Sequence, residues 1–236
     1  MRWVLKRRTW LISLACAAFA FVLFLYLTRE REPEYQGKTL SEWMELAYPM
    51  GENYEVAQLE RGEQAIRAIG TNALPCLLKW VSYEFPDWRK KLCDLTQSST
   101  NVMLTRAVWG KAYYRSFRTE WCLRALGTNA ASAIPELESI MNNREREYAG
   151  TCAVNALGGI GLPALPALTN ALAQPKHPQR YEILFAINEI ILTVGSENTN
   201  LFLPVLRPLL DDPDQRVKWA AGRVINRLEG RPIPID

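Results

Sequence analysis

Few side chains in this 236-residue chain could carry chemistry. His177 is its one histidine, and it falls in Gln174-Pro175-Lys176-His177-Pro178, a stretch that reads as an exposed loop between regular elements. A Ser-His-Asp triad or a histidine-ligated metal therefore has a single place to form. No G-x-S-x-G, H-E-x-x-H, C-x-x-C or phosphate-binding lysine loop occurs. Gly158-Gly159-Ile160-Gly161 looks like a phosphate cradle, but no strand pattern precedes it, and a turn between helices explains it. The expectation is no catalytic residue, no metal and no cofactor. Of the five cysteines, Cys16 lies in an apolar amino-terminal run, while Cys122 and Cys152 fall at nearly equivalent places in neighbouring repeats. They are read as small, buried free thiols, with a disulfide as the alternative. Cys93 lies in an irregular segment and has no assignable partner.

Any site must be positioned by the repeat that dominates the rest of the chain. Residues 65–78 read AIRAIGTNALPCLL, 125–137 ALGTNAASAIPEL and 156–168 ALGGIGLPALPAL. Ten residues separate the first Ala from a Pro in each: Ala65 to Pro75, Ala125 to Pro135, Ala156 to Pro166. A fourth copy, Phe202-Leu-Pro-Val-Leu-Arg-Pro-Leu-Leu, places its Pro at 204, so the intervals are 60, 31 and 38 residues. The first interval holds two units, or one unit with an insertion near 82–113. Each unit reads as a helical hairpin. Gly70, Gly127, Gly158 and Gly161 mark turns, and the four prolines sit in the first turn of each second helix, where no N–H is missed. Neither helix can bury its apolar stripe alone, so the hairpins must stack.

Residues 209–228, LLDDPDQRVKWAAGRVINRL, resemble the start of a HEAT-like repeat, with an acidic-Pro-Asp turn followed by a basic residue, Val and paired Ala. ALGGIGLPALPAL is similar to the bacterial HEAT-like repeats also found in phycobilin lyases. Taken whole, the chain resembles membrane-anchored bacterial HEAT-repeat proteins. The resemblance covers roughly 55–230 and implies an all-α, HEAT-like α-solenoid preceded by one transmembrane helix. It implies binding of a protein or peptide on the concave face, which the second helices line in such stacks. On those helices, positions two, three and six after the Pro are assigned to the core, leaving one, four and five open. The binding candidates are Lys79 and Trp80 with Ser139 and Asn170. For Lys79 and Trp80 the alternative is a merely solvated lysine and a tryptophan packed on the 82–113 segment. The function expected is an interaction scaffold without catalysis. Competing readings are a lyase-like or ligand-binding protein and a structural envelope spacer.

Residues 9–28 form an uncharged apolar run, long enough at about 1.5 Å per residue to cross a roughly 30 Å bilayer core. Arg2, Lys6, Arg7 and Arg8 precede it, which places the basic head 1–8 in the cytoplasm and the body outside. The expected location is the cytoplasmic membrane, with residues 9–28 as the membrane partner. A cleaved signal ending near Ala18-Phe19-Ala20 and a lipoprotein signal at Cys16 are the alternatives weighed. Removing those four cations from the chain's 28 leaves 24 against 25 acids, so no affinity for nucleic acid is expected. Residues 29–38 read as a linker and 39–236 as the repeat domain. Thr39-Leu40-Ser41-Glu42 has capping-box spacing, so 40–48 reads as a helix that closes the stack, or as a free amphipathic helix on the membrane. The irregular segment 82–113 is a recognition candidate or an ordinary degenerate repeat.

Overall fold

A computed structural model describes residues 31–49, 55–96, 101–195 and 199–232. The expected spanning segment 9–28, its basic head and Cys16 lie outside those residues. Among the described residues, no helix is long and apolar enough to cross a membrane. The body is all-α apart from one small hairpin, β1 (Glu34–Tyr35) paired antiparallel with β2 (Lys38–Thr39). Half of the expected 29–38 linker is thus folded, and the compact unit begins at Pro33. Both turn residues have positive φ, 48° at Gln36 and 75° at Gly37, as a two-residue hairpin turn requires.

Helix α1 (Leu40–Ala47) starts where the capping box lies. Thr39 N donates to Glu42 Oε2 at 2.7 Å, and Glu42 N donates to Thr39 Oγ1 at 3.4 Å, satisfying two donors at the helix start. Leu40, Trp43, Met44 and Ala47 are buried against α2 (Val56–Ile69), so α1 is a packed cap rather than a free amphipathic helix. Trp43 Nε1 donates to Tyr35 O at 2.9 Å and fastens the β-hairpin to it.

From α2 the chain runs through α3 (Leu74–Val81), α4 (Asp87–Thr96), α5 (Val102–Leu126), α6 (Ile134–Met141), α7 (Glu147–Ile160), α8 (Leu165–Leu172), α9 (Arg180–Val194), α10 (Thr199–Leu206) and α11 (Gln215–Leu228). Gly110, at φ 73° and ψ 163°, breaks α5, and only its second part matches a repeat helix. The long first interval therefore holds one repeat unit plus an insertion built from α4 and the start of α5. First helices α2, α5, α7, α9 and α11 each pack on the next. Second helices α3, α6, α8 and α10 each pack on the following first helix. The core is one continuous seam between these two layers, built from Ala, Leu, Ile and Val.

The turns fall where the glycines and prolines place them, with two corrections. Gly70, Gly127 and Gly161 have φ of 63°, 54° and 94° and end the first helices, and Pro75, Pro135 and Pro166 open the second ones. Gly158, by contrast, lies inside α7. A Cβ there would sit 2.9 Å from Ala186 Cβ, and one on Gly159 would sit 3.0 Å from Arg124 Cβ. This glycine pair lets α9 and α5 approach opposite sides of α7. Pro204 lies inside α10, which begins at Thr199, rather than in its first turn.

Candidate binding groove

The expected open positions divide into two kinds. Lys79, Ser139 and Asn170, four residues after their prolines, are exposed at equivalent places on α3, α6 and α8. Trp80, one residue further, is 7% exposed and lies under the Arg115 guanidinium, 5.2 Å from the ring centroid. Ile140, Ala171 and Leu209 at the same position are buried too. The expectation that fifth positions face outward is wrong for a geometric reason. Positions two, five and six are related by three and four residues and share one helix face, whereas position three is rotated about 100° away. The polar Glu138 and Thr169 at position three carried that signal.

The insertion is fastened rather than loose. Phe85 sits among Tyr83, Trp109, Tyr113 and Tyr148, with ring centroids 5.2–5.7 Å from its own. Glu84 Oε2 accepts from Ala149 N at 3.1 Å, near the start of α7, where Arg146 supplies no side-chain cap. Its other oxygen lies 3.5 Å from Lys90 Nζ. Burial pushes the Tyr113 and Tyr148 phenols up, so both stay neutral in this cluster.

The residues first suspected of chemistry are occupied in packing. His177 is not an exposed loop residue: it is 6% exposed, and its Nδ1 accepts from Gln179 N at 3.3 Å. Burial lowers its pKa, and the charges of Arg144 and Arg180 lower it further. Cys76, Cys93, Cys122 and Cys152 are buried, and Cys93, Cys122 and Cys152 carry free thiols. Burial raises the Cys93, Cys122 and Cys152 thiols, the opposite of activation. Among the described residues, no group of His, Cys, Asp and Glu could hold a metal ion. Next to His177, Arg180 donates to Leu172 O at 3.2 Å and to Asp212 Oδ2 at 2.5 Å, a buried ion pair that ties one repeat to the next. Burial pushes the Asp212 carboxyl up, but the Arg180 hydrogen bond, the Asp214 N–H and the Arg180 charge outweigh it and hold the pKa below 3.8.

Between α9 and α11 lies a groove of about 350 Å³ that the sequence reading did not find. Leu184, Ala220 and Val224 line it where the two helices meet, and Phe185, Leu192 and Trp219 line it further out. Arg223 stacks its guanidinium 4.6 Å from the Trp219 ring, and Arg227 Nη1 donates to Asn188 Oδ1 at 2.8 Å. The one carboxylate in the lining, Glu189, is paired with Arg124 at 2.8 Å. Among the described residues no carboxylate pairs with Arg223 or Arg227, so a positive edge borders an aromatic and aliphatic wall. A second depression of similar size adjoins Trp219 and is lined by Tyr181, Gln215 and Arg216. The signal for the groove was Tyr181, Phe185, Asn188 and Leu192, a second stripe at helical spacing on a helix already apolar on its core side. Compared with known proteins, the chain matches no protein-family model, no curated protein and no solved structure.

Proposed function

We propose that this chain is a membrane-tethered interaction scaffold, a HEAT-like α-solenoid that binds a protein or peptide and transforms no substrate. Residues 9–28 are its anchor, and the repeat body lies on the outer side of the cytoplasmic membrane. The observation that carries the reading is the α9–α11 groove, with apolar walls and Arg223 and Arg227 on its edge. Its occupant is a segment presenting one large apolar side chain flanked by Asp or Glu, the apolar group lying between Phe185 and Trp219 and the carboxylates reaching the two guanidiniums. The neighbour-to-neighbour packing of hairpins supports the solenoid reading. The burial of His177 and of the four thiols supports binding over catalysis. Lys79, Ser139 and Asn170 offer a polar row on the other helix layer for secondary contacts.

The test is brief crosslinking of the full-length protein in native membranes, capture and mass spectrometry, with Phe185→Asp, Arg223→Glu and Asn170→Asp run beside it. One protein should be recovered with the parent chain and with Asn170→Asp, and be lost with both groove variants. Equal recovery with all four chains would remove the groove from the binding site. Recovery of no partner at all would end the scaffold reading.

A further inference from the structure

The insertion presents a surface that neither the groove nor the repeat packing uses. On α4, Trp88, Leu92 and Leu95 follow one another at i, i+4 and i+7, one face of a helix, and they are 61%, 42% and 79% exposed. Cys93 is the buried residue of α4, and it lies on the side turned toward α5. Met103 and Leu104, at the start of α5, are also exposed, Met103 to 85%. Monomeric proteins rarely leave such a run of large apolar groups uncovered without a use for it. Residues 84–111 hold five lysines and arginines against three acids, in a body that is otherwise slightly acidic; Lys90 pairs with Glu84 and Arg89 turns toward Gly110, while Lys91 and Lys111 are exposed.

The insertion also lies near the point where the body begins. Leu40 N donates to Pro33 O at 2.9 Å, and Arg115 Nη2 lies 3.4 Å from Ser41 Oγ, one residue further along α1. About 7 Å of helix separates Arg115 from Gly110. The Arg89 guanidinium of α4 packs on Gly110, so that a Cβ there would lie 3.2 Å from it. If residues 9–28 span the bilayer, Thr28 and Pro33 are five residues apart, which is at most about 18 Å of extended chain.

We infer that the exposed face of α4, with Met103 and Leu104, rests on an anionic lipid surface. Trp88, Leu92 and Leu95 enter the headgroup boundary, and Lys91 and Lys111 meet lipid phosphates. The tether part of this argument rests on the anchor proposed above; the apolar stripe and its basic flank do not.

Full-length protein carrying Cys16→Ser, with nitrobenzoxadiazole attached at Leu95→Cys or at Ser139→Cys, is reconstituted into vesicles of one part phosphatidylglycerol to two of phosphatidylcholine. The four described native thiols are buried and stay unlabelled. The probe at 95 should shift to the blue and be quenched by acyl-chain-brominated lipid, and the probe at 139 should do neither. Lys91→Gln and Lys111→Gln should each lower the ratio of docked to free protein about five-fold. Equal quenching at 95 and 139 would overturn the proposal, as would emission at 95 that ignores the anionic lipid. Carbonate extraction of the same vesicles reports on the anchor separately. An extractable protein whose residue 95 is still quenched keeps the docking and loses the anchor; a retained protein with residue 95 unquenched keeps the anchor and loses the docking.

Discussion

The third hairpin and the insertion are built on opposite principles. In α7, nine of fourteen residues are buried, and most of them are Ala, Gly or other small side chains, so helices pass close on both sides. In α4 one of ten is buried, and the segment is held through its base, by the rings around Phe85 and by the Glu84 carboxylate at the start of α7. One region spends its apolar residues on its neighbours. The other keeps them on the surface. A repeat that must stack cannot offer its apolar stripe to anything else, so exposed apolar surface falls to the places where the repeat is interrupted or one face is left uncovered. The insertion and the α9–α11 groove are two such places.

Substitutions should separate the two regions sharply. Arg180→Ala strands the Asp212 carboxylate inside a repeat junction and should cost about 3–5 kcal/mol by denaturant unfolding. The parent chain should also lose stability as pH falls below 3.8. Asp212 has a lower pKa folded than unfolded, so its contribution is complete above the ordinary value and disappears as the folded carboxylate is protonated. Asp212→Asn should flatten that acid limb. Gly158→Val forces α7 and α9 apart against Ala186 and should cost about 1–3 kcal/mol. Glu84→Ala removes a capping carboxylate and should cost about 1 kcal/mol, measured in the same way. Leu95→Ser, on the exposed stripe, should change stability by less than about 0.5 kcal/mol. A large loss from Leu95→Ser would mean that the insertion is packed like the repeats, and the contrast would fall.

Much of the frame was legible in the sequence because it follows from backbone chemistry. The turn glycines at 70, 127 and 161, the prolines that open α3, α6 and α8, and the Thr39–Glu42 box are places where few residue types fit. What stayed hidden depends on neighbours distant in sequence. Gly158 reads as a turn until Ala186 is seen beside it. His177, between two prolines, reads as exposed until the chain folds over it. Trp80 was misplaced by a local error, a face assigned with the wrong offset. The α9–α11 groove needed two helices brought together, and no single stretch of sequence contains it.

The Glu84 contact also bears on how the chain reaches this state. In a plain array of hairpins every contact is local, and ordering can begin at any hairpin and spread. Here the start of α7 draws on a carboxylate 65 residues earlier, and the Tyr148 ring beside it packs on Phe85. The loop between those partners contains the whole insertion and the second hairpin, so closing the contact before they are ordered carries the entropy cost of a long loop. The cap at the start of α7 is therefore a long-range tie in an array whose other packing runs between neighbours.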